Sequence, residues 1–282
     1  MIVKEALEHY YKERERELSD PYRLELAIKQ LSALVGGLKL PTIDVPTCRK
    51  YKDKRNKMGV SDSTVARELG VLKAAANSAV KWKLIKLSEM PTFEIPTNLP
   101  KREIWLHRDE VTTLFKFAEK DEKLALFVNL LYVTASRRKA IEELEWSQLD
   151  FERRTISLNK PGQKVTKKRR PVVPMGSLYS ILKRAYDIRV TPYVLGRKTN
   201  RYRQFIQLLK DCHLLDVPEK NGRPKGRITP HILRHSRATH LLEAGMSIYN
   251  VATLLGDNPS TVERVYAHAC ISTLEQDLKK FS

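Results

Sequence analysis

The sequence predicts a mainly α chain with a small β-sheet, an α+β architecture in two domains. Three observations carry that expectation. Helical periodicity runs through residues 1 to about 88 with no strand signal. Prolines then cluster at Pro91, Pro96 and Pro100, within MPTFEIPTNLPKREIW, where they remove backbone donors and disfavour helix in the residues before them. Beyond them, helical segments are interrupted only by short β-like runs. The expected division is a helical domain over 1–89, a linker over 90–103 and a second domain over 104–282 ending in a tail helix.

The elements follow in order. A basic helix, Cys48-Arg-Lys-Tyr-Lys-Asp-Lys-Arg-Asn-Lys57, stops at Gly59, and the next begins near Asp62/Ser63, both natural N-cap residues. That second helix places Val65, Leu69, Leu72, Ala76 and Val80 on one face. The second domain opens with a helix from about Arg108, followed by the apolar run Leu124–Val133. Strands are expected at Thr155–Leu158 and Pro171–Val173, around a lysine-rich turn, with a third candidate at Tyr193–Gly196. Thr229-Pro230 reads as a helix start, since proline is favoured in the first turn. Ser260-Thr-Val-Glu263 and Ser272-Thr-Leu-Glu275 are capping boxes, so Tyr266 is expected inside a helix with a defined start. The tail carries Leu274, Leu278 and Phe281 as an apolar stripe, suited to packing on its own domain or on a neighbouring protomer.

Composition narrows the partner. The 282 residues hold 52 Lys+Arg against 33 Asp+Glu, a formal net charge of +19, which points to a polyanion. The longest apolar run is interrupted by Asn129 and falls short of the ~20 residues a membrane span needs. The N-terminus shows no charged-then-apolar export pattern. Cys48, Cys212 and Cys270 are odd in number, widely spaced and form no CxxC pair, which argues against zinc and fits a reducing cytosol.

The chemistry concentrates in ITPHILRHSRATHLLEAG and LLGDNPSTVERVYAH, which hold His231, Arg234 and Tyr266. An arginine fork can hold two phosphate oxygens, a tyrosine oxygen can attack phosphorus and a histidine can handle protons. Upstream, TASRRKAIEELEWSQLD supplies Arg137, with Ile141, Leu144 and Trp146 as the apolar register beside it. Between these segments, KVTKKRRPVVP crowds lysines at a strand edge. His231, His235 and His240 are spaced four and five apart, which also admits a metal-site reading, although Arg234 beside them fits a dication badly. His235 is expected to make a structural hydrogen bond, and Tyr249, the nearest rival to Tyr266, is expected to pack in a helix interface.

Arginine, lysine, His-x-x-Arg and tyrosine in that order resemble the tyrosine recombinases, the phage integrase family, over nearly all of the chain. Thr134, Arg137, Ile141, Leu144, Trp146 and Asp150 are similar to the family's first arginine motif, His231-Ile-Leu-Arg234-His235 to its second, and Leu255-Gly256 with Tyr266-Ala-His268 to its nucleophile segment. The resemblance implies a site-specific recombinase of a mobile element that breaks DNA through a 3′-phosphotyrosine on Tyr266, with Arg137 and Arg234 as the phosphate clamp and His231 as general base. It implies Lys167 as the proton donor, with Lys164 and Lys168 close enough to replace it. It further implies that 1–89 is a core-type DNA-binding domain meeting double-stranded DNA through Arg49, Lys50, Lys54, Arg67 and Lys73, joined by Lys168, Arg169 and Arg170 of the hairpin. Neither cofactor nor metal is expected, and the implied partners are DNA, a tetramer of this chain on DNA and accessory DNA-bending proteins, at the nucleoid of a prokaryotic cytoplasm.

The pattern departs from the family at three places. Asp257 stands where histidine is common after Leu-Gly, and its charge either faces away from the phosphate or orients Arg234 or His231. Ala135 and Ala140 replace a glycine and a glutamate near Arg137. Two further readings follow: a DNA-binding protein that has lost catalysis, and a type IB topoisomerase, which shares the chemistry. No arm-binding domain is expected ahead of the first helix, either because the member is simpler or because the chain starts after one.

Overall fold

The computed structural model describes residues 1–18, 21–97, 99, 104–159, 172–198, 200–221, 223–267 and 269. The chain divides into two compact units, Met1–Lys101 and Arg102–Ser282. Residues 98 and 100–103 of the expected linker lie outside the described residues, as does the tail stripe of Leu274, Leu278 and Phe281 with its Ser272 capping box.

The first unit packs four helices, α1 (Val3–Arg14), α2 (Tyr22–Val35), α3 (Val45–Lys57) and α4 (Asp62–Lys81). Asp44 caps α3, its carboxylate accepting from the Thr47 amide at 2.8 Å, and Gly59 in the left-handed region turns the chain after it. α4 begins after Ser61, one residue earlier than its sequence suggests. Val65, Leu69, Leu72 and Ala76 of α4 are buried against Leu7 of α1 and Leu31 of α2, with Val80 half-buried beside them. Met90, Phe93 and Ile95 lie on the same core, so the start of the proline-rich segment is packed on the helices. α3 is not a uniformly solvated basic face either. Tyr51 and Arg55 turn inward, and Glu68 accepts from Tyr51 Oη at 2.8 Å and from Arg55 Nη2 at 2.8 Å. Only such pairing makes a buried guanidinium tolerable.

The second unit surrounds a larger core. Among the described residues its helices are α5 (Arg108–Ala118), α6 (Glu122–Val133), α7 (Arg138–Glu142), α8 (Tyr179–Asp187), α9 (Tyr202–Asp211), α10 (Ile232–Glu243), α11 (Ile248–Leu255) and α12 (Pro259–Val265). Phe127, Leu130 and Leu131 of α6 fill the centre with Ile141, Leu144, Trp146 and Phe205. The sheet is antiparallel in the order β1 (Leu149–Asp150), β2 (Thr155–Ser157), β3 (Val172–Pro174), and β4 (Asp216–Val217) pairs with β5 (Gly226–Arg227).

Two sequence expectations are corrected here. Tyr193–Gly196 is not the third strand; Tyr193 forms a single bridge with Glu145, and Gly196 at φ 83° ends the extended run. The third strand is β1, too short to announce itself by alternation. α12 is capped by Asn258 with Pro259 in its first turn, rather than by Ser260, and Tyr266 sits just past its last residue as the C-cap.

Candidate active site

Each functional side chain is delivered by an element end. Thr134 closes α6, Ala135 follows in the left-handed region at φ 49°, and Arg137 is the N-cap of α7. Ala135 occupies the place where the sequence lacks the customary glycine, so its backbone carries steric strain on the order of 1 kcal/mol. That turn aims the Ala135 carbonyl at Arg234, whose Nη1 donates to it at 2.9 Å. Arg234, on the first turn of α10, is buried, and its Nη2 donates to the Leu255 carbonyl at 2.8 Å as well as to Asp257 Oδ2. Gly256 in the left-handed region ends α11 and swings Asp257 inward.

Asp257 thereby joins both arginines. Its Oδ1 accepts from Arg137 Nη2 at 3.2 Å while Oδ2 accepts from Arg234 Nη2. Of the partners the sequence allows for Asp257, Arg234 is bonded to it, and Arg137 joins as a second. Burial pulls the Arg234 guanidinium below its usual range, and the Asp257 charge opposes that shift. Two guanidiniums drawn from distant parts of the chain therefore converge on one anion.

Tyr266 is 5% exposed and packs among Ala135, Ala238, Leu242 and Leu255. Burial pushes its phenol well above the ordinary range, Asp257 adds to the shift, and only Arg234 opposes it. Its hydroxyl shares a hydrogen bond with His235 Nδ1 at 3.0 Å. His231, expected as the general base, is the N-cap of α10, and its ring meets that of His235 edge-on with centroids 4.8 Å apart. Burial of the ring, then Arg234 and Arg137, push His231 down to about 4.

The remaining expectations divide. Lys164, Lys167, Lys168, Arg169 and Arg170 lie outside the described residues, as does His268. His240 does not join the other two histidines; its Nδ1 bonds the Tyr132 hydroxyl at 2.8 Å and its carbonyl accepts from Arg108. Tyr249, expected to pack in a helix interface, is 73% exposed on the first turn of α11. In the first unit Lys50, Lys54, Arg67 and Lys73 are exposed, whereas Arg49 is held by Glu94 through two hydrogen bonds of 2.6 and 2.9 Å. Sequence reasoning gave His235 only a structural bond. The available signal was its spacing of four from His231, which puts both rings on one face of α10.

The chain is similar to known proteins over most of its length. Residues 104–271 match the family model described as the phage integrase family. The tyrosine recombinase XerC of Lacticaseibacillus casei is 24% identical over 277 residues, 94% of this chain and 90% of the relative. Among solved structures, the Tn1549 transposon integrase in complex with transposon right end DNA has a TM-score of 0.71 at 19% identity, over 99% of each chain. A lambda integrase tetramer bound to a Holliday junction has a TM-score of 0.69 at 17% identity, over 93% of this chain and 77% of that one. At those identities the structural likeness establishes the fold.

Proposed function

This chain belongs to the phage integrase family, and on that footing we propose that it is a site-specific DNA recombinase that cuts and rejoins DNA through a 3′-phosphotyrosine on Tyr266. The convergence of Arg137 and Arg234 on the single carboxylate of Asp257, with Tyr266 beside Arg234, is the observation that carries this reading. A place where two fixed guanidiniums hold one anion is a place where they can hold a phosphodiester.

In the reaction, the non-bridging oxygens of the scissile phosphate take the position of the Asp257 carboxylate. The guanidiniums then stabilise the charge that develops as phosphorus becomes five-coordinate. The Tyr266 oxygen attacks, loses its proton to the histidine pair, and the deoxyribose 5′ oxygen leaves with a proton supplied by Lys167. Reversal with a different 5′ hydroxyl completes the exchange, and the phosphotyrosine conserves the energy of the broken bond. Lys50, Lys54, Arg67 and Lys73 serve as backbone contacts, with Lys168, Arg169 and Arg170 from the hairpin. Exchange between duplexes needs four protomers on DNA, for which the apolar stripe of Leu274, Leu278 and Phe281 offers the link.

A second reading is a DNA-binding protein of the same fold without cleavage. Asp257 favours it, because the carboxylate already offsets one of the clamp's two positive charges. One experiment separates the two. Genomic DNA flanking the gene is mixed with protein and any covalent complex is digested with protease and sequenced. The recombinase reading requires a peptide containing Tyr266 joined to a DNA 3′ phosphate, and a free 5′ hydroxyl opposite. Specific binding with intact strands would support the second reading.

A further inference from the structure

We infer that His235 is the residue that takes the proton from Tyr266, the place its motif would give to His231. The inference rests on the recombinase reading of the site and adds a catalytic residue to it. A proton acceptor must reach the hydroxyl within roughly 2.6–3.2 Å. His235 Nδ1 does so at 3.0 Å, with the two rings tilted by 46° and their centroids 5.7 Å apart.

The neighbouring groups are unsuited to the task. Arg137 and Arg234 have no acceptor atom. Both oxygens of Asp257 are engaged by those arginines. His231 stands one helical turn earlier on α10, with its ring against that of His235. The Tyr266 hydroxyl is bonded to His235, and the edge-on contact lets His231 steady that ring.

The step balances as a transfer. The Oη–H bond of Tyr266 breaks, its proton joins His235 Nδ1, and the oxygen forms the bond to phosphorus as the bond to the 5′ oxygen breaks. On rejoining, the imidazolium returns that proton to the departing tyrosine oxygen. An imidazole nitrogen can both accept and donate a proton, so His235 is suited to taking the proton in one half of the cycle and returning it in the other.

The test uses a suicide duplex nicked beside the position that wild-type protein cuts, under single-turnover conditions at saturating DNA. His235→Ala should form the covalent complex about a hundredfold or more slowly, with unchanged DNA affinity, and added imidazole should restore part of the rate. His235→Asn keeps an acceptor near the Nδ1 position but cannot carry the proton, so it should be as slow as His235→Ala. Asn at wild-type rate would reduce His235 to a structural hydrogen bond and overturn the inference. So would imidazole rescue of His231→Ala in place of His235→Ala. A wild-type protein that never forms an adduct would instead fail the recombinase reading itself.

Discussion

Arg137 and Asp257, 120 residues apart in the chain, are joined by an ion pair of 3.2 Å between Nη2 and Oδ1. The same carboxylate holds Arg234, so one of the clamp's two positive charges is offset before any DNA arrives. A phosphate must displace an anion already in place, since Arg234 spends its Nη2 on Leu255 and Asp257. Replacing Asp257 with His removes the competing charge. The expected outcome is adduct formation at or above the wild-type rate, read by single-turnover cleavage. A sharp loss would mean that the carboxylate is needed to set the arginines.

Arg234 should matter more to chemistry than to binding. Arg234→Ala is expected to slow cleavage by roughly 10²–10³, the range for losing one fixed donor to a developing oxyanion. DNA affinity, spread over many phosphate contacts, should change far less. Arg234→Lys should not rescue, because one ammonium cannot reach the Ala135 and Leu255 carbonyls and the phosphate as a planar fork does. Cleavage within a few-fold of wild type in either variant would remove Arg234 from the clamp.

The second unit should lose stability in mild acid through His240. Burial first, then Arg108 and Arg237, push this imidazole down to about 4, against about 6.5 in an unfolded chain. With the folded value depressed, the unfolded chain binds more protons between those two values. Stability is therefore complete above about pH 6.5 and falls toward pH 4, by up to about 1.4 kcal/mol per pH unit. His240→Asn should flatten that part of a plot of melting temperature against pH. Parallel curves for variant and wild type would show that His240 is charged in the fold.

On the first unit, the exposed cations should behave as phosphate contacts and the paired one should not. Removing Lys54, Arg67 or Lys73 is expected to lower the salt slope of DNA binding by about one each, without altering sequence preference. Arg49→Ala should do less, because Glu94 already holds that guanidinium. An unchanged salt slope after removing all three would take α3 and α4 off the DNA.

Helices with a continuous apolar face were legible in the sequence: α4 through Val65, Leu69 and Leu72, and α5 from Arg108 onward. Local signals failed where tertiary contacts decide. β1 is two residues long and exists only because Ile156 and Thr155 pair with it. The Asn258 cap outcompeted the Ser260 box because Pro259 fits the first turn of α12. In the site, Arg137, Arg234 and Tyr266 were singled out by the resemblance of their motifs, whereas the bridge through Asp257 required the left-handed turn at Gly256 to be seen in place. The bond from Tyr266 to His235 spans 31 residues and depends on where α12 ends.

Wild-type protein and Tyr266→Phe, mixed with DNA flanking the gene and quenched in detergent, give the most direct measurement, with a gel shift as the control for binding. A detergent-stable protein–DNA adduct should form with wild type alone, while both proteins bind DNA equally. An adduct that survives in Tyr266→Phe would contradict the assignment of the nucleophile.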